Sequence, residues 1–335
     1  RQRHLFRVDL ADGEMARLDA AERGTHQGRP SPAGDVIIDT WSSLDEPPRA
    51  DVLLLDGAPP RRMWESGQEL AGWDLLPIEH GSLAAADGTE LHSLLIRPRD
   101  PEPGRRYPVV LYVYGGPHSQ LTADRWGGSI HNTFRLLADL GIGVFMVDNR
   151  GTAGRGRDFE TAIHRRLGEL EVADQVAAAR WLGAQSWVDP ERIAVYGGSY
   201  GGYMTLMLML KAPEIFRAGV AYAPVTDWRL YDSIYAERYM DTPEENPEGY
   251  EAAAPLTWAE NLRGTLLLAH GSMDNNVHLQ NTLQLVGSLA KADKRFDLMV
   301  YPRTRHGVRR STFALHFHRL KTEFLARHLL GPSAE

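Results

Sequence analysis

The segment Gly197-Gly198-Ser199-Tyr200-Gly201-Gly202 carries the sharpest chemical signal in the chain. A serine within G-x-S-x-G is a candidate nucleophile when a strand enters the turn and a helix leaves it. Both flanks are present: an apolar run, Ile193–Tyr196, precedes it and an apolar helical stretch from Tyr200 to Leu210 follows. Small neighbours suit a turn sharp enough to strain the serine backbone. A hydroxyl near neutral pH needs a base, and the base needs a carboxylate to orient it. On this scaffold the chain order is serine, acid, histidine. Asp274 lies just past the apolar run Thr265–His270, and His306 follows the run Asp297–Tyr301. Taken singly, these are a glycine-rich turn, a loop acid and a surface histidine. Together, in order and at corresponding strand ends, Ser199, Asp274 and His306 point to acyl transfer. Of the 13 histidines, His306 is the best placed. His270 reads as a packed residue at a strand end. His316 and His318, two apart on a helix, cannot face a common metal.

Acyl transfer also needs donors aimed at the developing oxyanion. The backbone N–H of Tyr200, the residue after the serine, supplies one. The second should come from the loop after the run Val109–Tyr114. Many esterases carry H-G-G-G there; this chain reads Tyr112-Val113-Tyr114-Gly115-Gly116-Pro117-His118 and offers the Tyr114 phenol instead.

These residues need a frame. From about residue 78 the pattern alternates strand and helix. Strands are expected at Leu91–Ile96, Val109–Tyr114, Gly143–Asp148, Arg192–Tyr196, Ala218–Tyr222, Thr265–His270 and Asp297–Tyr301. Helices are expected at Ile130–Leu140, Leu170–Leu182, Tyr200–Leu210, His278–Ala290 and Ser311–Leu330. An apolar stripe at Leu170, Ala173, Ala177, Ala178 and Trp181, with Asp174 among them, marks the second of these. Such alternation predicts an α/β fold with a mostly parallel, doubly covered sheet. The proline- and acid-rich Asp241–Glu248 reads as a surface loop. The first 75 or so residues differ. Short apolar runs (Leu5–Leu10, Val36–Thr40, Val52–Leu55) alternate with the turn signals Asp12-Gly13, Pro32-Ala33-Gly34-Asp35 and Asp56-Gly57. That is the pattern of antiparallel hairpins, with too little core for a free domain.

The chain has 335 residues, 43 % of them hydrophobic, and a formal charge of −7. That composition suits a folded protein and argues against disorder or a dedicated nucleic-acid binder. No apolar run is long enough to span a membrane. The absence of cysteine excludes disulfides, thiolate nucleophiles and Cys-ligated metal. No cofactor or metal is expected. A soluble protein of the bacterial periplasm or cytoplasm fits.

At greater length the sequence resembles the prolyl oligopeptidase family of serine peptidases, in its dipeptidyl peptidase IV branch. The resemblance rests on V-Y-G-G-P-H-S-Q (113–120), D-N-R-G-T-A-G-R-G (148–156), R-R-L-G-E-L-E-V-A-D-Q (165–175) and Y-G-G-S-Y-G-G-Y (196–203). It continues through A-P-V-T-D-W (223–228), Y-D-S-I-Y-A-E-R-Y-M (231–240) and H-G-S-M-D-N-N-V-H (270–278). It implies an α/β-hydrolase domain over residues 77–335 and, over residues 1–76, the last blade of a β-propeller whose earlier blades precede this sequence. It implies Ser199 as nucleophile, His306 as base, Asp274 as orienting acid, and the Tyr114 hydroxyl and Tyr200 amide as oxyanion donors. It implies an apolar pocket for proline or alanine lined by Tyr200, Val225, Trp228, Tyr231, Tyr235 and Val277, with Asn276 holding the preceding carbonyl. The spacing of Trp228, Tyr231 and Tyr235 would set all three on one helix face. The expected activity is release of N-terminal dipeptides with Pro or Ala second, from a homodimer. In the family, paired propeller glutamates hold the substrate amine, and none is identifiable here. Tripeptide or acylaminoacyl release are the near alternatives. A carboxylesterase, or a catalytically dead interaction module, lies further off. His306 sits among Arg303, Arg305, Arg309 and Arg310, which read first as a solvated loop and alternatively as a positive field that attracts a peptide's carboxyl end.

Overall fold

The computed structural model describes residues 1–19, 21–308 and 311–331, with Ser311 described by its backbone alone. Two compact units emerge. One comprises Arg1–Ile78 together with Thr122–Leu136, the other Glu79–Leu121 together with Leu137–Glu335.

The first unit is antiparallel. Strands β1 (Phe6–Val8) and β2 (Met15–Arg17) form a hairpin across the Asp12-Gly13 turn. Strands β3 (Thr25–Pro30), β4 (Val36–Ser42), β5 (Arg49–Leu54) and β6 (Arg61–Glu65) form a meander in that order. Its buried centre is polar. The Trp41 indole stacks on His26 and donates to Asp51 at 3.0 Å, and His26 Nδ1 sits 2.7 Å from Asp39. Segment 122–136 carries the first nine residues of α1 (Gly128–Asp139). It is tied in by hydrogen bonds from the Leu44 amide to Asp124 and from the Trp126 amide to Ser42, at 3.0 and 3.1 Å.

The second unit holds an eight-stranded sheet built from β7 (Glu79–Ala84), β8 (Glu90–Ile96), β9 (Tyr107–Tyr112), β10 (Gly143–Asp148), β11 (Val188–Gly198), β12 (Phe216–Tyr222), β13 (Thr265–Gly271) and β14 (Asp297–Tyr301). The order β14-β13-β12-β11-β9-β10-β8-β7 is parallel from β14 to β10, and β8 and β7 run antiparallel. This is the mostly parallel α/β sheet that strand–helix alternation implies. Strand β10 is buried at every residue, as a strand covered on both faces must be. The helices are α2 (Arg157–Thr161), α3 (Leu170–Gly183), α4 (Tyr200–Lys211), α5 (Ser233–Met240), α6 (Pro247–Ala252), α7 (Gln280–Lys291) and α8 (Ser311–Leu329). Helix α4 packs on β11 and β12 and against α3. It is buried from Tyr200 to Leu210, which accounts for a sequence apolar all round rather than striped. No helix among the described residues is long and apolar enough to cross a membrane.

Four local expectations change. Strand β7 has no clear signal in the sequence, because it is an edge strand in which only Leu83 is buried. Strand β11 starts at Val188 rather than Arg192. Val188 pairs with Tyr107, the register shifts around Pro190, and pairing resumes at Ile193. Proline is tolerated at such an irregularity because no ladder donor is required. The expected loop Asp241–Glu248 ends early: Pro247 is the first residue of α6, where its missing N–H costs nothing, and the Asn246 side chain accepts from the Gly249 amide. The inward face of α3 is not the expected stripe. Ala173 and Trp181 are exposed, and the buried residues are Glu171, Val172, Asp174, Gln175, Ala178, Ala179 and Leu182. Three buried polar residues are invisible to an apolar periodicity.

Candidate active site

Ser199 occupies the turn between β11 and α4, with φ 59° and ψ −120°. Positive φ is rare for a residue with a Cβ and costs on the order of 1–3 kcal/mol. The Ser199 amide donates to the Tyr222 carbonyl at 2.8 Å, and the Tyr203 amide donates to the Ser199 carbonyl at 3.0 Å. These bonds hold the turn. The flanking glycines are steric necessities. A Cβ on Gly201 would lie 2.2 Å from the Val113 carbonyl oxygen, and one on Gly197 2.4 Å from the same atom.

The three residues expected to cooperate meet. Ser199 Oγ is 2.9 Å from His306 Nε2, and His306 Nδ1 is 2.8 Å from Asp274 Oδ2. A carboxylate opposite Nδ1 places the ring proton there and leaves Nε2 to accept from the serine. Asp274 Oδ1 accepts from the amides of Asn276 and Val277 at 2.9 and 3.1 Å. Burial opposes ionisation of Asp274. Hydrogen bonds from His270, His306 and the Asn276 amide outweigh it and hold the carboxyl well below the usual carboxylate range. The His306 loop is pinned from below, since the Tyr222 hydroxyl donates to the His306 carbonyl at 2.9 Å.

His270 is fully buried. Its Nε2 lies 2.8 Å from the Val277 carbonyl and 3.3 Å from Asp274 Oδ2. Both neighbours only accept, so Nε2 carries the proton and leans on the carboxylate. A histidine four residues before the acid is the one sequence signal for this contact.

Tyr200 is buried and Tyr114 half-buried, their rings 6.0 Å apart. Burial, with the Tyr239 phenol nearby, pushes the Tyr114 hydroxyl above its ordinary pKa, so it keeps the proton it would donate. The Tyr200 hydroxyl donates to Glu171 at 2.8 Å.

The aromatic residues gather, though not on one helix. Trp228 lies in a 3₁₀ turn (Trp228–Leu230) capped by Asp227, Tyr231 is extended, and Tyr235 lies on α5. Asp232 precedes α5 in an extended conformation and breaks the helical run. Ring centroids are nonetheless 5.3 Å apart for Tyr200 and Trp228, 5.9 Å for Trp228 and Tyr235, and 5.2 Å for Tyr231 and Tyr235. Val225 and Val277 belong to the same buried cluster. Asn276 is exposed, and its Oδ1 accepts from the Tyr231 hydroxyl at 2.8 Å. The loop bearing Val225 is fixed by the buried Asn281, which accepts from the Thr226 amide at 2.9 Å. Asn281, Glu171 and Tyr222 support the site; Asn281 and Tyr222 carry no motif by which sequence reasoning would find them, and Glu171 lies within R-R-L-G-E-L-E-V-A-D-Q (165–175) with no role read from it. Arg303 and Arg305 are exposed; Arg309 and Arg310 lie outside the described residues.

The arrangement can therefore deliver a serine alkoxide equivalent to a carbonyl, beside an aromatic wall. Its three named residues follow three strand ends of one sheet, those of β11, β13 and β14.

Comparison with known proteins agrees. Residues 129–331 match the prolyl oligopeptidase family. Dipeptidyl peptidase 8 of Mus musculus and of Homo sapiens are each 36 % identical over 322 residues, covering 92 % of this chain and 36 % of the relative. The structure of Porphyromonas gingivalis dipeptidyl peptidase 4 superposes with a TM-score of 0.94 at 36 % identity, covering 98 % of this chain and 46 % of that one. The chain thus spans between about a third and a half of the length of these relatives.

Proposed function

Because the chain belongs to the prolyl oligopeptidase family, we propose that it carries the catalytic centre of a serine exopeptidase releasing N-terminal dipeptides with Pro or Ala second. The observation that carries this reading is the continuous relay Ser199–His306–Asp274, at 2.9 and 2.8 Å, on a strained turn. Ser199 Oγ attacks the scissile carbonyl while its proton passes to His306 Nε2. The oxyanion is met by the Tyr200 amide and the Tyr114 hydroxyl. His306 returns the proton to the leaving amine, leaving an acyl-enzyme on Ser199. Water, deprotonated by His306, attacks the ester, and collapse frees the dipeptide and restores the serine proton. Asp274 holds the imidazole in register and balances its transient charge.

The aromatic group of Tyr200, Trp228, Tyr231 and Tyr235, closed by Val225 and Val277, supports a preference for proline. Its ring buries apolar surface and brings no N–H that needs a partner. Asn276 takes the carbonyl of the residue before. In this reading residues 1–76 are the last blade of a propeller and 77–335 the hydrolase domain. The relatives' names, dipeptidyl peptidases, support the two-residue register.

The test uses the complete protein. A fluorophosphonate should label it at Ser199, and Ser199→Ala should abolish labelling; labelling that persists at another residue overturns the assignment. A chromogenic H-Gly-Pro substrate should be cleaved in preference to H-Ala-Ala-Pro and N-acetyl-Ala substrates. Preference for either of the latter moves the register to tripeptidyl or acylaminoacyl release.

A further inference from the structure

Helix α3 turns a polar face inward, at a position where apolar side chains would pack without desolvation cost. Glu171, Asp174 and Gln175 are all buried, and their spacing of three and four puts them on one face. Each is hydrogen-bonded to a neighbouring segment of the chain. Glu171 Oε1 accepts from the Tyr200 hydroxyl at 2.8 Å and Oε2 from the Gly168 amide at 3.0 Å. Gln175 Nε2 donates to Asn149 Oδ1 at 2.8 Å and to the Val147 carbonyl at 3.0 Å. Asn149 Nδ2 in turn donates to the Gly115 carbonyl at 2.9 Å. Gly115 follows Tyr114 and has φ 76°, and a Cβ there would meet Asn149 Oδ1 at 3.0 Å. Asp174 accepts from the Arg150 amide at 2.9 Å and clamps the residue next to Asn149.

One chain of hydrogen bonds therefore ends on a residue assigned to the oxyanion, and the other ends on the neighbour of the second. One ends on Tyr200, whose amide is the backbone donor. The other ends on the carbonyl of Gly115, the residue after Tyr114, whose hydroxyl is the side-chain donor. We propose that Glu171 and Gln175 are positioning residues for the oxyanion hole, each fixing one of its two donors from the buried face of α3. This rests on the serine-peptidase reading above. A donor's contribution depends on its placement at the developing charge, and misplacement by about 1 Å can cost on the order of a hundredfold.

The experiment is a kinetic cycle in the complete protein, with turnover normalised to serine titrated by a fluorophosphonate. Glu171→Gln and Gln175→Met should each lower kcat roughly ten- to a hundredfold, with KM within about threefold of the parent. Because they act on different donors, their effects should multiply in the double variant. Gln175→Met should add nothing in a Tyr114→Phe background, where the donor it positions is gone. A general loss of packing would not show that dependence. Turnover per titrated serine within twofold of the parent for both variants overturns the proposal. So does a Gln175→Met effect that persists undiminished beside Tyr114→Phe. If either variant yields no titratable serine, Tyr200→Phe decides the Glu171 arm and Gln175→Glu the Gln175 arm, by the same criterion. Absence of labelling at Ser199 in the parent is a separate result, which overturns the serine-peptidase reading itself.

Discussion

In the proposed relay Asp274 acts through its geometry. Its Oδ2 faces His306 Nδ1 at 2.8 Å, while Oδ1 is already occupied by two amides. An amide side chain could keep those two bonds only by turning its NH₂ toward His306, which then presents the wrong tautomer. Asp274→Asn is expected to fold and to lose on the order of 10⁴ in kcat, the scale seen for the same change in another serine protease. A steady-state assay with circular dichroism as the folding control checks this, and near-parent turnover would remove Asp274 from the relay. Glu171 makes a prediction about stability. Burial pushes its carboxyl up to about 7, against the partial opposition of the Gly168 and Tyr200 hydrogen bonds. Asp174 raises it further, while Tyr203, Tyr235 and Lys211 are the other titratable groups it faces. The folded state thus holds a proton that the unfolded chain releases near its ordinary value of 4.5. By linkage, this group's contribution to stability falls as pH rises from about 4.5 to about 7. Urea melts of the parent and Glu171→Gln should show the parent losing more stability than the variant between pH 5 and pH 8. Parallel pH dependences would refute it.

At the scale of elements, the Ser199 turn is a joint between β11, α4 and the segment after β9. Gly201 passes so close to the Val113 carbonyl that even a methyl group has no room, at 2.2 Å. Gly201→Ala should force α4 away from β9, cost at least the 1–3 kcal/mol typical of overpacking, and sharply slow fluorophosphonate labelling. A thermal melt and a labelling time course read both. This joint is legible in the sequence, because small residues crowd around a serine between an apolar strand and an apolar helix chiefly where the backbone must turn that tightly. The same holds for β10 and β14, whose ends fall where the apolar runs stop. Elements whose inward residues are polar are not legible in this way. The buried face of α3 shares only Asp174 and Ala178 with the expected stripe, because Glu171 and Gln175 look like solvent-facing residues until Tyr200 and Asn149 are placed against them. The spacing of Trp228, Tyr231 and Tyr235 suggests one helix face. The rings do meet, but through a 3₁₀ turn and a break at Tyr231 and Asp232 that only tertiary packing could impose.

At the scale of the whole molecule, the antiparallel unit takes in a segment from beyond the linear boundary near residue 76. Segment 122–136 belongs with the antiparallel unit, although it is flanked in sequence by residues of the hydrolase sheet. Its polar groups are satisfied there. The Asp124 side chain accepts from the Leu44 amide at 3.0 Å and its carbonyl from Thr25 at 2.9 Å. The Trp126 amide donates to Ser42 at 3.1 Å, and the buried Arg135 donates to the Leu76 carbonyl at 2.8 Å. A chain begun at residue 77 deletes Thr25, Ser42, Leu44 and Leu76 together. Each buried donor or acceptor then left without a partner costs about 1–3 kcal/mol unless water reaches it, so the segment has every reason to leave its native conformation. The prediction is that residues 77–335, expressed alone, are cut by trypsin within 122–136 under conditions where the 335-residue chain is not. Arg125 and Arg135 are the sites to map by mass spectrometry. Restoring residues 1–76 as a separate chain should suppress those cuts if the hydrogen bonds named above hold the segment. Equal resistance of both chains would show that segment 122–136 is kept in place without them, and that the boundary near residue 76 is a physical one after all.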